Sequence, residues 1–223
     1  REIALCYGIG RRSFMDEFWE KSFQEKGAMW GAAAAVSAVS AAEMFREKEY
    51  KEILIPGIGY GRNAGPFIHA GMKVAGIEIS ETAIHLLRGS FGSSINVFQG
   101  SVTEMPFETK TYDGVFSFAL LHLLSQPERQ NFIQACYEQL KRGGTMIFTS
   151  IAETAPMFGT GKKIADRLYE TRPGVRLFFY DYQSIREEFG SVGLTNLKTI
   201  IEPAHSDSGA PELDFLWIEC IKN

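Results

Sequence analysis

Short apolar runs alternate with amphipathic segments through the middle of the chain. The runs predict five strands, at residues 52–56, 73–79, 95–100, 112–121 and 145–151. The segments between them predict helices over residues 62–71, 80–91 and 126–144, with Ser80 as an N-cap and Gly143 and Gly144 closing the last one. Strands that are apolar throughout and alternate with helices indicate a parallel sheet covered on both faces.

The end of the chain follows a different pattern. Two apolar segments, residues 194–202 and 212–222, are joined by a connection too short for a crossover helix. We therefore expect them to pair antiparallel at one edge of the sheet. The predicted fold is α/β, a Rossmann-like, doubly wound and mostly parallel sheet of seven strands with an antiparallel C-terminal edge hairpin.

The beginning of the chain is helical in pattern. Phe14 and Phe18 share one face of an amphipathic segment at residues 13–30, which Gly27 is expected to end. An alanine-rich helix is predicted over residues 31–47. Its apolar part is too short to span a bilayer, which needs about 20 apolar residues.

Composition and charge narrow the possible partners. The chain has 223 residues, of which 45% are hydrophobic and 22% charged, and a net charge of −4. No long run of like charges is present, which argues against nucleic acid and anionic membranes as partners. Three widely spaced cysteines form no Cys-x-x-Cys or Cys/His cluster, so we expect no metal site, and reduced thiols favour a cytoplasmic location.

The segment ILIPGIGYGRNAG, residues 53–65, runs from a strand through a glycine-rich turn into a helix. Such a turn lets a ligand lie close to the backbone. A Walker A loop is excluded because no Lys-Ser/Thr pair follows. The glycines stand at Gly57, Gly59 and Gly61, and Arg62 occupies the place of the third glycine of a dinucleotide-binding turn.

An acidic residue, Glu78, ends the second predicted strand. A carboxylate at this place can accept hydrogen bonds from both hydroxyl groups of a ribose. NAD and S-adenosylmethionine both contain that ribose, so Glu78 supports an adenosine-containing ligand without choosing between the two.

Five segments in order carry a family resemblance: ILIPGIGYGRNA, VAGIEISETAI, FQGSVTEMPF, YDGVFSFALLHLL and LKRGGTMIF. Together they resemble the motifs of class I S-adenosylmethionine-dependent methyltransferases, most closely the thiopurine/tellurite-type small-molecule branch. The resemblance implies one methyltransferase domain over residues 1–223. Its parts would be a helical lid (1–47), a cofactor-binding core (48–151), a substrate-recognition insertion (152–193) and the edge hairpin (194–223).

The resemblance also implies roles at the glycine turn. Gly57 and Gly59 would pass beneath the methionine part of S-adenosylmethionine. Arg62 and Asn63 would lie at its carboxylate end. Trp30, which precedes the alanine-rich helix, would cover the site, and a tryptophan face near a sulfonium gains cation–π attraction.

Further positions would hold the adenosine. Glu78 would bind the ribose and Ile79 would flank the adenine. Ser101 and Val102 occupy the motif that contacts the edge of the adenine. Many relatives carry aspartate at the position of Ser101, so the adenine contact departs from the family pattern here.

The transfer itself needs alignment more than acid–base chemistry, because a sulfonium is already a strong electrophile. Phe118 and Ala119 would close the fourth strand beneath the sulfonium. The candidate general bases are His122, Tyr180, Asp181 and His205. The alternative for Asp181 is a helix N-cap.

We expect the acceptor to be a small molecule, with a thiol or other chalcogen first and an oxygen nucleophile second. The segment after the fourth strand lacks the [DN]PP[YFW] motif of amino-methylating nucleic-acid enzymes. Two alternatives stay open: a NAD-dependent oxidoreductase and a noncatalytic adenosyl-ligand-binding protein. A monomer or a homodimer is expected.

Overall fold

Six α-helices and ten strands make up the computed structural model, which describes residues 14–202 and 212–223. The helices are α1 (Phe14–Lys26), α2 (Val36–Glu47), α3 (Gly65–His69), α4 (Glu81–Phe91), α5 (Gln126–Glu138) and α6 (Tyr182–Phe189). The strands are β1 (Glu52–Pro56), β2 (Lys73–Glu78), β3 (Asn96–Gln99), β4 (Tyr112–Phe118), β5 (Leu140–Ile151), β6 (Lys162–Ala165), β7 (Leu168–Arg172), β8 (Val175–Phe178), β9 (Leu194–Glu202) and β10 (Leu213–Ile221). None of these helices is long and apolar enough to cross a bilayer.

The main sheet has seven strands in the order β3-β2-β1-β4-β5-β10-β9. The first five strands of this order pair in parallel. β10 pairs antiparallel with β5 on one side and with β9 on the other. The predicted fold class, including the antiparallel edge hairpin, is confirmed.

Helices cover both faces of this sheet. One apolar cluster joins the strands to α2, α3 and Leu87 of α4, and the other joins them to α5 and α6. Side chains alternate between the two faces: Ile53 and Ile55 of β1 enter the first cluster and Leu54 enters the second. This double burial explains why the strands are apolar throughout.

The order of the strands creates a switch point between β1 and β4. From β1 the chain moves outward to β2 and β3, and it then returns to place β4 on the other side of β1. In open α/β sheets, ligands bind beside the carboxyl ends of the strands at such a point. The glycine-rich turn follows β1 at this place.

Two predicted helices are shorter than expected at their beginnings. α2 begins at Val36 instead of residue 31, because the chain is still extended at Ala35, whose ψ angle is 148°. α3 covers only Gly65–His69, because the preceding residues form the glycine turn and Pro66 stands in its first turn. Gly71, with φ of 83°, follows α3 as predicted.

The predicted end of α5 at Gly143 and Gly144 is wrong. The helix ends at Glu138, and both glycines lie within β5, which begins at Leu140. A residue from the other end of the chain explains the change: the Lys222 ammonium donates to the carbonyl oxygens of Glu138 and Leu140, at 3.0 and 2.9 Å. A cation at this point satisfies backbone oxygens where the helix ends.

Residues 152–193 contain a small sheet that the hydrophobic pattern did not predict. β6, β7 and β8 form this sheet and pair antiparallel. α6 follows it and is the helix that Asp181 was expected to cap. Leu177 and Phe179 of this segment pack against Ile151, the last residue of β5.

A buried ion pair fastens α6 to α5. The Arg129 guanidinium donates to both oxygens of Glu188, and the shortest of these hydrogen bonds is 2.7 Å. Their side chains are only 5% and 9% exposed. The Tyr180 hydroxyl donates to Glu188 at 2.7 Å, and Arg129 also donates to the Leu124 carbonyl. Every charged group of this network is thus compensated by a partner.

We expect Glu188→Ala to lower the free energy of unfolding by about 3–5 kcal/mol, because it leaves the Arg129 charge buried without its partner. Denaturant unfolding of both proteins measures the loss. Arg129→Met/Glu188→Met removes both charges and should cost less than Glu188→Ala alone. A double variant that is less stable than the single one would contradict this explanation.

Candidate functional site

The glycine turn leaves β1 in a conformation that favours glycine. Gly57, Gly59 and Gly61 have φ angles of 69°, 58° and 86°. The Gly57 N–H donates to the Ile77 carbonyl of β2 at 2.9 Å, which ties the turn to the neighbouring strand. A Cβ at Gly57 would lie 2.8 Å from Leu120. The first turn residue is therefore fixed by both conformation and space.

The spacing of the glycines has a packing reason. A Cβ at Gly61 would lie 2.8 Å from the Phe91 ring and 3.2 Å from Leu87, so α4 packs directly against this residue. The close-packing glycine stands one place earlier than in a dinucleotide turn, and Arg62 is free of that constraint. Among the described residues, a Cβ at Gly59 would meet Phe23 alone, at 3.9 Å. The turn is thus tight at its two ends and open in its middle.

Glu78 holds the turn and the end of β2 together. One carboxylate oxygen accepts the Gly59 N–H at 2.8 Å, and the other accepts the N–H groups of Ile79 and Ser80, both at 2.9 Å. The side chain is buried, and burial raises the pKa of the Glu78 carboxyl. The three N–H donors oppose that rise because they favour the charged form.

Arg62 and Asn63 bind the chain that precedes α2. The Arg62 guanidinium donates to the carbonyl oxygens of Trp30 and Ala33, at 3.4 and 3.1 Å. The Asn63 side-chain oxygen accepts the Ala35 N–H at 2.9 Å. Burial lowers the pKa of Arg62. The two residues predicted for a carboxylate ligand thus also position the segment that carries Trp30.

Trp30 lies on the glycine turn through its stacking with Tyr60. The rings are 6.2 Å apart between centroids and 10° from parallel. The Tyr60 hydroxyl accepts the Trp30 N–H and donates to the Gly31 carbonyl, at 3.1 and 2.8 Å. Trp19 and Phe23 of α1 contact the same tryptophan. A side chain that is 36% exposed is thereby fixed beside the turn.

The predicted adenine positions follow the second and third strands. The Gly100 N–H donates to the Glu78 carbonyl, so Ile79 and Ser101 stand at neighbouring strand ends. The Ser101 hydroxyl accepts the Thr103 N–H at 3.3 Å and lies 2.8 Å from the Thr103 hydroxyl oxygen. Val102 is buried. Ser101 therefore has a structural role as the N-cap of the short 3₁₀ helix Val102–Glu104, in addition to its predicted adenine contact.

An aromatic stack closes the end of β4. The rings of Phe118 and Phe215 are parallel to within 10° and 5.6 Å apart between centroids. The Arg62 guanidinium lies 5.3 Å from the Phe118 ring centroid, within the range of a cation–π contact. Ala119 follows with φ of 54° and donates to the Thr149 carbonyl. Phe215 was not among the predicted site residues.

His122 is buried directly after β4. The Ile151 N–H donates to its Nδ1 at 3.2 Å, and the Ser150 hydroxyl oxygen lies 3.2 Å from the same atom. Because Nδ1 accepts a hydrogen bond, the proton of the neutral ring is on Nε2. Burial lowers the pKa of His122 to about 3, so the ring is neutral near pH 7.

Tyr180 and Asp181 form hydrogen bonds and an ion pair with other residues of the 152–193 segment, which includes α6. The Tyr180 hydroxyl donates to Glu188, and burial raises its pKa well above the usual value. Asp181 accepts the Ser184 N–H as the N-cap of α6 and pairs with Arg167 at 2.5 Å. Burial alone would raise the pKa of Asp181, but the bonds from Ser184 and the Arg167 charge hold it below its usual value. The capping alternative for Asp181 is confirmed, and His205 lies outside the described residues.

A cavity of about 400 Å³ lies where α6 meets the edge hairpin. Tyr180 and Asp181 are in its lining, together with Thr199 of β9 and Leu216 of β10. None of the predicted cofactor-binding residues lines it. These two candidate bases thus line a cavity of their own, whereas His122 follows β4, the strand that pairs with β1.

One contributor to the site carried no distinctive sequence signal. Glu20 of α1 accepts hydrogen bonds from the hydroxyl groups of Ser80 and Thr82, at 2.7 and 2.6 Å. In the sequence, Glu20 is one of several charged residues on an amphipathic helix, and only the fold distinguishes it.

Comparisons with known proteins agree on one kind of domain. A family model described as "Methyltransferase domain" matches residues 53–144. The chain is 24% identical over 212 residues to the tRNA N(3)-methylcytidine methyltransferase Mettl2 of Drosophila melanogaster, which covers 88% of this chain and 62% of that protein. It is 24% identical over 156 residues to thiocyanate methyltransferase 1 of Brassica oleracea, covering 68% and 69%. This chain therefore spans less than two thirds of the fly relative.

A solved structure has the same fold. It is 1,6-didemethyltoxoflavin-N1-methyltransferase of Burkholderia thailandensis with bound 1,6-didemethyltoxoflavin and S-adenosylhomocysteine. The TM-score is 0.70 at 17% identity, over 94% of this chain and 87% of that chain. At this identity the similarity shows the fold, and the roles of individual residues need their own tests.

Glu78→Gln tests the ribose role. We expect it to weaken S-adenosylhomocysteine binding by about 10- to 100-fold, because an amide cannot accept from N–H groups on both sides. Isothermal titration measures the affinity, with the exposed neighbour Glu81→Gln as the charge-matched control.

A ligand analogue separates ribose binding from support of the turn. S-adenosylhomocysteine without its ribose hydroxyl groups should bind the wild-type protein weakly. Glu78→Gln should discriminate much less between the two ligands. Equal discrimination by both proteins would refute a contact between Glu78 and the ribose.

Proposed function

We propose that this chain is a class I S-adenosylmethionine-dependent methyltransferase and that it methylates a small molecule at sulfur or another chalcogen. The family match also decides between the two adenosine-containing ligands that Glu78 left open, in favour of S-adenosylmethionine. Two features of the site support a sulfur or other chalcogen acceptor: the state of His122 and the aromatic side chains beside β4.

The glycine turn suits the proposed cofactor. Its open middle at Gly59 allows close approach. The buried Glu78 carboxylate keeps one lone pair for a ribose hydroxyl group, on the oxygen that accepts the Gly59 N–H. When bound, the cofactor supplies an electrophilic methyl group. The protein's own residues then need to bind, orient and exclude water: Glu78 at the ribose, Arg62 and Asn63 at the carboxylate end, and Trp30 above.

The state of His122 is the observation that carries the acceptor class. A histidine whose pKa is about 3 and whose Nδ1 already accepts an N–H is a poor general base at pH 7. An alcohol needs a base to become a strong nucleophile. A thiol has a pKa near 8.5 and ionises without such help. We therefore assign His122 the role of a hydrogen-bond donor through Nε2, which favours an anionic sulfur or similar acceptor.

The surroundings of β4 support the same acceptor class. Phe118 and Phe215 present stacked rings, and His122 meets the Phe215 ring edge-on at 6.1 Å. Apolar, polarisable walls suit a soft acceptor, since they remove water from a charged nucleophile without offering it a strong competing proton donor. One partly exposed cation, Arg62, lies against the same stack.

RNA is a second candidate acceptor because of a specific observation. The similarity to the fly tRNA N(3)-methylcytidine methyltransferase extends over 88% of this chain. Exposed cations also stand on the small sheet: Lys162, Lys163, Arg172 and Arg176. Acidic neighbours offset part of this charge, among them Glu170, which lies 4.0 Å from Arg176, and the net charge of −4 opposes phosphate binding.

An acceptor panel tests the proposal directly. Thiols, thiocyanate, selenite and tellurite species, phenols, amines and unmodified tRNA are each incubated with the protein and S-adenosylmethionine. We expect release of S-adenosylhomocysteine with a sulfur or other chalcogen acceptor. Methylation of tRNA at low salt, lost steeply as salt rises, would instead support the second candidate. Turnover only with phenols or amines would contradict the assignment.

His122→Ala distinguishes a donor from a base. With the best acceptor, we expect kcat to fall by about tenfold, the effect of losing one hydrogen bond to a charged group. The pH profile of kcat/KM should keep its shape, because a group with a pKa of about 3 does not titrate between pH 6 and 9. Loss of a limb near pH 6–7 in the variant would show that His122 acts as a base.

A further inference from the structure

The N-terminal helix α1 lies across the predicted cofactor site. Phe23 is buried against Tyr60 of the glycine turn and Ala83 of α4. The Phe23 ring also lies beside Gly59, the middle glycine of the turn. Its nearest atom would be 3.9 Å from a Cβ at that residue. α1 therefore covers both the turn and the beginning of α4.

One carboxylate attaches the middle of α1 to this surface. Glu20 accepts from the Ser80 hydroxyl at 2.7 Å with one oxygen and from the Thr82 hydroxyl at 2.6 Å with the other. The Thr82 N–H adds a longer bond of 3.3 Å, and Gln24 of the same helix supports the carboxylate at 3.0 Å. Burial would raise the pKa of Glu20, but the bonds from Ser80 and Thr82 lower it overall, so the carboxylate is charged near pH 7.

The attachment point is the junction that also holds Glu78. The Ser80 N–H donates to Glu78, while the Ser80 hydroxyl donates to Glu20 and accepts the Ala83 N–H as the N-cap of α4. Glu20 and Glu78 thus bind the same residue from its two sides. A change at the ribose site that moves Ser80 is felt at α1, and the reverse holds by linkage.

The other end of the N-terminal segment is anchored separately. The Ala35 N–H donates to Asn63, and the N–H groups of Val36 and Ser37 donate to the two oxygens of Glu202, each at 3.0 Å. Gly27 stands between α1 and the residues that Tyr60, Arg62 and Asn63 hold, with a φ angle of 58° and no described atom within 4 Å of where a Cβ would be. This glycine gives the end of α1 the freedom of a hinge, whereas the Gly31 carbonyl is bound by the Tyr60 hydroxyl.

We propose that Glu20 is a positioning residue that latches α1 over the ribose end of the cofactor site and thereby slows the release of the cofactor product. The inference rests on the proposed ribose site at Glu78. The latch consists of the two Glu20 oxygens, which accept from donors on Ser80 and Thr82 at the start of α4. The hinge is at Gly27, and the fixed anchor is at the start of α2.

Glu20→Gln opens the latch with the smallest change of shape. In either orientation, its amide NH₂ faces a donor: the Thr82 N–H and Ser80 hydroxyl on one side, or the Gln24 amide on the other. We expect the dissociation rate of S-adenosylhomocysteine to rise about tenfold, the effect of losing hydrogen bonds to a charged group. Stopped-flow displacement measures this rate. The exposed Glu17→Gln, one turn earlier on α1, is the matched control and should leave the rate unchanged.

Tryptophan fluorescence reports on α1 itself. The chain has three tryptophans, and Trp217 is only 2% exposed, so acrylamide quenching follows Trp19 and Trp30. In Glu20→Gln without ligand, we expect the quenching constant to rise about twofold as α1 separates from Trp30, and S-adenosylhomocysteine should restore part of the protection. A structural effect remote from α1 would leave the quenching constant unchanged.

A second variant removes one hydrogen bond from the other side. Thr82→Val keeps its N–H but loses the hydroxyl that donates to Glu20, and we expect a smaller increase in the dissociation rate. In the double variant, the two effects should not add, because both act on one contact.

The outcomes separate the two proposals. A wild-type protein that does not bind S-adenosylhomocysteine overturns the proposed cofactor site, and the latch with it. Wild-type binding with an unchanged dissociation rate in Glu20→Gln overturns the latch alone. A faster rate without any change in tryptophan quenching also overturns it, because release would then not depend on α1.

Discussion

The structure around the switch point depends on one buried carboxylate. Glu78 accepts N–H groups from the glycine turn and from the start of α4, so it joins the end of β1 to the end of β2 at the switch point of the sheet. Burying a carboxylate is costly, and the three donors offset that cost. A turn held in this way has little freedom to relax, so the surface it presents to a ligand is preorganised before binding.

The rigid glycine turn also determines where residues 30–35 lie. Tyr60, Arg62 and Asn63 all bind the backbone of residues 30–35 through its N–H and carbonyl groups. Backbone contacts do not depend on the side chains of the alanine-rich segment, which explains how so featureless a sequence takes one defined path. The position of residues 30–35 therefore depends on the position of the glycine turn.

The sequence predicted the main sheet well because each strand is buried on both faces, which leaves a continuous apolar run. The prediction of the end of α5 was wrong because it depends on a residue distant in the sequence. Lys222 binds the carbonyl oxygen at the end of this helix, and no local sequence pattern indicates that contact. The small sheet of residues 162–178 was missed because its strands are half exposed and carry many charges. The glycines and the helix caps were recognisable by residue type. Glu20 is distinguished only by its hydrogen bonds to Ser80 and Thr82, which are distant in the sequence.

His122 shows why position along the chain is a weak guide to chemistry. Its place after β4 suggested a base, and burial at the same place, beside Phe215, lowers the pKa of the ring to about 3, which disfavours that role. A site with a neutral donor, aromatic walls and a covering helix can align a reactive nucleophile and exclude water. It has little means of generating such a nucleophile from a weak acid. Under the proposed function, the acceptor therefore has to be a good nucleophile already when it enters the site.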